Sequence, residues 1–309
     1  MSRTLGIKSI GKYIPSNRQT NLDKTSHFSL NENFIVDKIG VVERSVKNTD
    51  EFTSDLATNA VNNLLAKSSL ELKNVDALIV VTQNPDVNIP HISARVQGRL
   101  NISNDCACFD VSLGCSGYVY ALSILTSFMN ANGMENGILI TADPYSDIID
   151  QNDKNTSLIF GDAATATWIG LNPIFTLGNF TFGTSGRFYD HLIIQNSKLH
   201  MNGRGIFNFV AKELPKDIDN LLRKSSLDMN DIDAYIFHQG SKYIVDTLTK
   251  RLGVPMEKVP FRMTYYGNTV SSSIPIILDE YFNIAKGSKL LLSGFGVGLS
   301  WSSCIITKE

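Results

Sequence analysis

One cysteine stands between two glycines in Ser112-Leu113-Gly114-Cys115-Ser116-Gly117, just ahead of a long apolar run. A thiol at a helix start feels the positive end of the macrodipole, which favours thiolate. The flanking glycines permit the sharp turn that would present the sulfur to a pocket. That is the setting of a nucleophile, and a small buried hydrophobe is the plainer alternative. The spacing is not the G-x-S-x-G elbow of hydrolases. His238 closes the apolar run Ala234-Tyr235-Ile236-Phe237. Parallel sheets place ligands just past the carboxyl ends of their strands, although a hydrogen-bonded core histidine fits the same position. Asn268 lies in Tyr265-Tyr266-Gly267-Asn268-Thr269, where asparagine commonly turns the chain. Gly294-Phe295-Gly296-Val297-Gly298 resembles a dinucleotide loop, but Trp301–Ile306 downstream reads as a strand where that motif needs a helix. A glycine hairpin offering backbone N–H groups fits better.

The elements that must carry these residues are duplicated. LLAKSSLELKNVDALI begins at Leu64 and LLRKSSLDMNDIDAYI at Leu221, an offset of 221 − 64 = 157. Each reads as a helix end, a polar turn and an apolar strand, Ala77–Thr82 in one and Ala234–Phe237 in the other. Arg99-Leu100 answers Arg251-Leu252, and the helix after Cys115 answers the run from Ser273 to Leu278. Strands follow at Gly137–Ala142 and Lys289–Ser293, and each half ends on another, Ala164–Leu171 and Leu299–Thr307. A loop-rich stretch from Asn172 to Gly205 joins the halves. In this correspondence Asn268 takes the place of Cys115, and His238 follows the strand equivalent to the one ending near Thr82. Halves related by a pseudo-twofold axis would bring all three together. The pattern predicts two βα halves, residues 1–171 and 172–309, packed around central helices.

Composition narrows the function classes. The chain has 309 residues, 43% hydrophobic and 19% charged, with a net charge of −2, so it lacks the basic surplus of a nucleic-acid protein. Four cysteines, of which Cys106 and Cys108 are one residue apart, make no disulfide framework or zinc set. His27, His91, His191 and His200 are scattered and read as structural or solvated. The opening MSRTLGIKSIGKYIPSN has no apolar core of a signal peptide. Residues 111–134 carry no charge, but serines, threonines, asparagines and glycines interrupt them too often for a membrane span. A helix buried on all sides is expected there, in a protein of a reducing, cytoplasmic compartment.

Cys115 in FDVSLGCSGYVYAL, His238 in FHQGSKYIVDTLTKRLG, Asn268 in YGNTVSSSIP and the closing GFGVGLSW together resemble the β-ketoacyl-[acyl carrier protein] synthase III family of the thiolase superfamily. IGKYIPSNRQTN near the start, FIVDKIGVVERSV at 34–46 and FGDAATATWI at 160–169 extend the resemblance over almost the whole chain. It implies a thiolase-like α/β fold in five layers (α-β-α-β-α) and a homodimer. It implies that Cys115 takes an acyl group from coenzyme A, with the backbone N–H groups of Cys115 and Val297 holding the oxyanion. His238 and Asn268 would stabilise the enolate formed as a malonyl thioester on acyl carrier protein loses carbon dioxide. No metal or other cofactor is implied.

By the same carry-over Phe34, Lys38 and Lys154 would meet the adenine and phosphates of coenzyme A. Phe207 and Ser241 would flank the pantetheine tunnel, and Ile89 would reach into the partner's acyl pocket. The family's adenine-stacking tryptophan is Phe34 here, its arginines are Lys38 and Lys154, and its HQAN motif reads His238-Gln239-Gly240-Ser241. Asn208 and Tyr243 stand where basic residues commonly dock the carrier protein, while Lys250 and Arg251 keep their charge. Drift in the binding set with the catalytic set intact tilts the expectation towards a specialised condensing enzyme. Acyl transfer to another nucleophile without decarboxylation, or a non-catalytic partner subunit, are the alternatives.

Overall fold

The apolar runs become strands and the 3.6-period runs become helices in a computed structural model that describes residues 4–309. Met1–Arg3, which open the stretch read as lacking a signal, lie outside the described residues. The first arm contains β1 (Leu5–Tyr13), β2 (Arg18–Thr20), β3 (Glu43–Ser45), α1 (Thr53–Lys67), β4 (Ala77–Val81), α2 (Ile92–Leu100), β5 (Ala107–Val111), α3 (Gly117–Ala131), β6 (Asn136–Ala142), α4 (Lys154–Ser157) and β7 (Ala164–Leu171). The second contains β8 (Phe175–Thr184), β9 (Leu192–Gln195), β10 (Lys198–Met201), α5 (Gly203–Ser225), β11 (Ala234–Phe237), α6 (Lys242–Leu252), α7 (Ser273–Leu278), β12 (Lys289–Gly296) and β13 (Ser300–Lys308).

Nine strands run in the order β11-β12-β13-β8-β1-β7-β6-β4-β5. The middle is a seam, where β1 and β8 share only the pairs Gly6–Thr176 and Ile7–Phe175. Outward from it both arms repeat one pattern, two antiparallel pairings and then a parallel one. These are β1/β7, β7/β6 and β6/β4 on one side, and β8/β13, β13/β12 and β12/β11 on the other. The expected duplication is therefore visible in the topology.

Alternation along the strands builds the layers, because successive side chains leave opposite faces. Ile79 and Val81 of one arm and Ile236, Leu290 and Leu292 of the other pack on Leu122 and Leu125 of α3 and Ile274 and Ile277 of α7. Both arms thus share one central helical layer. Leu78 and Val80 face outward to Leu56, Val61 and Val96 of α1 and α2. Tyr235, Phe237 and Leu291 face Leu214, Ile218, Val245 and Leu248 of α5 and α6. The five-layered arrangement matches the expectation.

Two expectations need correction. The stretch from Asn172 to Gly205 is not chiefly loop, since it holds β8, β9 and β10 and the start of α5. Glycine there marks close approach, because a Cβ on Gly183 would lie 2.0 Å from the Trp301 ring that crosses it. The helix after Cys115 is not buried on all sides, since Ser127 and Asn130 of α3 reach solvent. Among the described residues no helix is long and apolar enough to cross a membrane.

Candidate active site

Cys115 sits in the turn between β5 and α3, two residues ahead of the first helical residue, Gly117. The N–H of Gly117 donates to the carbonyl of Gly114 at 2.8 Å and closes that turn. β12 lies directly on the cysteine. A Cβ on Gly294 would fall 2.6 Å from the Cys115 carbonyl oxygen, and one on Gly296 would fall 2.8 Å from its Sγ. Glycine in this strand is a condition for the sulfur to occupy its place. Burial, and after it the negative charge of Asp143, pushes the thiol up to about 12, while the backbone N–H groups of Cys115 and Val297 pull the other way. The helix start had suggested a favoured thiolate. Burial of the sulfur outweighs it, because desolvation disfavours the charged form.

Asn268 belongs to the other arm but is held by this one. Its N–H donates to the carbonyl of Ile159 at 2.8 Å, and its own carbonyl accepts from the N–H of Gly161 at 3.0 Å. A Cβ on Gly161 would overlap the carbonyl oxygen of Tyr266 at 1.8 Å. The side-chain Oδ1 accepts from the N–H of Val270 at 2.8 Å. This fixes the amide so that Nδ2 faces Nε2 of His238 at 3.4 Å. The three-residue turn Val270–Ser272 runs straight into α7, so Asn268 stands two residues before a helical segment, as Cys115 does before α3.

His238 follows β11, its N–H donating to the carbonyl of Ser293 at 2.9 Å. Its ring meets Phe295 edge-on at 5.5 Å and places Nδ1 2.8 Å from the hydroxyl of Ser273. Burial lowers its pKa to about 3, so the imidazole is neutral at pH 7. Cys115, His238 and Asn268 line one cavity of about 40 Å³, together with Phe160, Leu192 and Gly296. Ile159, Met201, Ile206, Gly240 and Ile244 form walls both of it and of an outer cavity of about 340 Å³. The three residues that the sequence singled out thus line one cavity.

The remaining candidates fall into groups. Phe207 and Ser241 line the outer cavity with Arg204 and Tyr243. Ser241 also caps α6, its hydroxyl accepting from the N–H of Ile244. Tyr243 stacks on Phe207 at 5.1 Å, and the Lys38 ammonium lies 4.9 Å from the centre of the Tyr243 ring. Lys154 stands 5.9 Å from the ring of Phe34. Ile89 is 87% exposed and lines neither cavity. Asn208 lies on a neighbouring groove with Lys212 and Arg251.

Sequence reading missed Ser273, Asp143 and Arg204. Ser273 is one of three consecutive serines, and only the fold shows which of them meets the imidazole. Asp143 is fully buried after β6, accepting from the N–H of Gln83 and the hydroxyl of Ser271, and burial raises its pKa to about 6. Arg204 had no motif around it. Among the described residues no group of three or more histidines, cysteines and carboxylates could hold a metal ion.

Comparison with known proteins agrees with this fold. The family model for 3-oxoacyl-[acyl-carrier-protein] synthase III matches residues 109–186, and the model of its C-terminal part matches 222–308. A β-ketoacyl-[acyl-carrier-protein] synthase III of Lactococcus lactis subsp. cremoris (strain MG1363) is 34% identical over 320 residues, covering 97% of this chain and 98% of its own. The structure of the synthase III from Thermus thermophilus superposes with a TM-score of 0.92 at 32% identity, over 98% of this chain and 99% of that one. The priming β-ketosynthase of the R1128 polyketide pathway superposes with a TM-score of 0.90 at 25% identity, over 99% and 96%.

Proposed function

We propose that this chain, which belongs to the β-ketoacyl-[acyl-carrier-protein] synthase III family, condenses an acyl-coenzyme A primer with a malonyl thioester on acyl carrier protein. The observation that carries the reading is the convergence of Cys115, His238 and Asn268 in one cavity, with the N–H groups of Cys115 and Val297 at the sulfur. Nε2 of neutral His238 takes the Cys115 proton as the sulfur attacks the thioester carbonyl. The tetrahedral oxyanion rests on the two backbone N–H groups. Its collapse expels coenzyme A, which leaves as the thiol with the proton from His238.

The malonyl thioester then binds with its carbonyl oxygen towards His238 Nε2–H and Asn268 Nδ2. The bond to the carboxylate breaks, carbon dioxide leaves, and the electron pair forms the enolate that these donors stabilise. The enolate carbon attacks acyl-Cys115. The sulfur departs and is reprotonated from solvent. The two half-reactions use different imidazole tautomers, one with a bare Nε2 and one with Nε2–H. The single proton of the Ser273 hydroxyl can face Val270 or His238 Nδ1, which accommodates both.

Around this centre Phe34, Lys38 and Lys154 bind the adenine and phosphates, and Phe207 and Ser241 guide the pantetheine. The protein acts as a cytoplasmic homodimer in which exposed Ile89 enters the partner's acyl pocket. Residues 1–171 supply the nucleophile and residues 172–309 the histidine and asparagine. No resident cofactor is invoked. Intact-mass measurement after acyl-coenzyme A treatment, followed by malonyl-carrier protein and assay of carbon dioxide, tests the reading. An acyl adduct that is discharged without carbon dioxide release would identify a non-decarboxylating transferase, and no adduct at all a non-catalytic subunit.

A further inference from the structure

Two of the cysteines stand together on the last strand of the sheet. Cys108 is the second residue of β5 and Cys106 directly precedes that strand, so the two share a face. Both join the outer cluster of Val96, Leu100 and Ile102 beside α2. Their Sγ atoms are 3.9 Å apart, and the Cys108 Sγ also lies 3.6 Å from the carbonyl oxygen of Cys106. β5 pairs with β4 alone and ends the strand order, so its second edge is unpaired among the described residues. Cys108 is half-buried and Cys106 9% exposed, whereas Cys115 and Cys304 are buried in two other clusters. The pair is held together and can be reached.

Two thiols at this spacing suit a bridging ion better than a direct bond. Residues two apart on an extended strand lie about 6.6–6.8 Å apart at Cα, the upper end of what a disulfide spans. An ion lengthens the link. Soft-metal–sulfur bonds are about 2.3 Å long, as for zinc, so a linear S–metal–S unit spans about 4.6 Å. The sulfurs need to part by only about 0.7 Å to reach it. Thiolates select monovalent copper, zinc and iron–sulfur clusters. Zinc and the clusters want four ligands, and no group of three or more histidines, cysteines and carboxylates exists among the described residues. Monovalent copper is satisfied by two. We propose that Cys106 and Cys108 form a two-thiolate binding site for monovalent copper, separate from the catalytic cysteine. Binding forms two copper–sulfur bonds and releases the two thiol protons to solvent, with no change of oxidation state.

The test uses the full chain without oxygen and two probes. Phenylarsine oxide closes a ring on paired thiols, forming two arsenic–sulfur bonds while its oxygen leaves as water with both thiol protons. One phenylarsenic group per chain is expected by intact mass, resistant to excess glutathione and removed by dithiothreitol. Iodoacetamide applied to the loaded, denatured chain should then label Cys115 and Cys304 but not Cys106 or Cys108. Release by glutathione, or labelling of all four, overturns the proposal without any variant. Monovalent copper, titrated against a chromophoric chelator, should bind at one ion per chain. Cys106→Ser and Cys108→Ser should each weaken it at least about 100-fold, the gain that a second tethered ligand brings, while Cys304→Ser should not. One copper per two chains would place the site between protomers, and arsenical retention without copper binding would identify a dithiol that is no copper site; either overturns the assignment.

Discussion

The hydroxyl of Ser273 lies 2.8 Å from Nδ1 of His238, and it also reaches the carbonyl oxygen of Val270 at 3.1 Å. One proton and two acceptors make this hydroxyl the element that sets the imidazole tautomer. Ser273→Ala is predicted to slow malonyl decarboxylation by roughly tenfold, the usual consequence of leaving a buried polar atom unpaired. Ser273→Thr, which keeps the hydroxyl, should restore most of the rate. Parallel assays of acylation and decarboxylation decide. Equal activity in the Ala variant at both steps would remove Ser273 from the chemistry.

Asn268 meets the imidazole through Nδ2 only, and its other amide atom is taken by the N–H of Val270. Asn268→Ala is therefore predicted to lose decarboxylation by about 10²–10³-fold, as when one oxyanion donor is removed. Acylation of Cys115 should fall far less. Single-turnover measurement of the two steps separates them, and equal losses would show that the roles are assigned wrongly.

Asp143 opposes ionisation of Cys115 through the buried space between them. Asp143→Asn should shift the pH profile of Cys115 alkylation by iodoacetamide to lower pH, because a nearby negative charge disfavours thiolate. In a separate treatment with acyl-coenzyme A, peptide mapping should find the acyl adduct at Cys115 and not at Cys106, Cys108 or Cys304. A profile that stays in place would mean that the carboxylate is protonated when the thiol reacts.

The same carboxylate and His238 make opposing contributions to stability in acid. The imidazole has a pKa of about 3 folded and near 6.5 unfolded, so between these values the unfolded chain binds the extra proton and stability rises with pH. Asp143 is raised from 3.8 to about 6, so there the folded chain binds the proton and stability falls as pH rises. The two slopes cancel between about pH 4 and 6. Asp143→Asn should expose the His238 slope alone, about 1.4 kcal/mol per pH unit in denaturant unfolding. An unaltered pH dependence in that variant would contradict the shift of Asp143.

Tyr243 is 45% exposed beside the outer cavity, where a cation would attract an acidic carrier helix. Tyr243→Arg is predicted to raise carrier-protein kcat/KM several-fold at low salt, with the gain lost near physiological ionic strength. Measurement at two salt concentrations checks this. A wild-type enzyme that already saturates at low carrier concentration and weakens steeply with salt would show that Lys212 and Lys242 suffice.

Much of the site was legible because its residues mark boundaries that sequence patterns reveal. Cys115 stands where a strand gives way to a helix, His238 where a strand ends, and Asn268 at the equivalent point of the second copy. The thiol's ionisation was misread because proximity to a helix start is local, whereas the desolvation that overrides it comes from β12, nearly two hundred residues away in sequence. β8 was missed because its glycines break the alternation that signals a strand, and their reason is a ring on β13. Ser273 was missed because three adjacent serines look alike until α7 is turned against β11.

The seam of two residue pairs between β1 and β8 divides the chemistry as well as the sheet. A ribosome delivers the arm bearing Cys115 first, and the imidazole, the carboxamide and the Val297 N–H follow, the last of them only with the final hairpin. A nascent or prematurely terminated chain therefore carries a thiol with no base beside it and no cradle for the oxyanion. The complete set is assembled only when the closing hairpin docks.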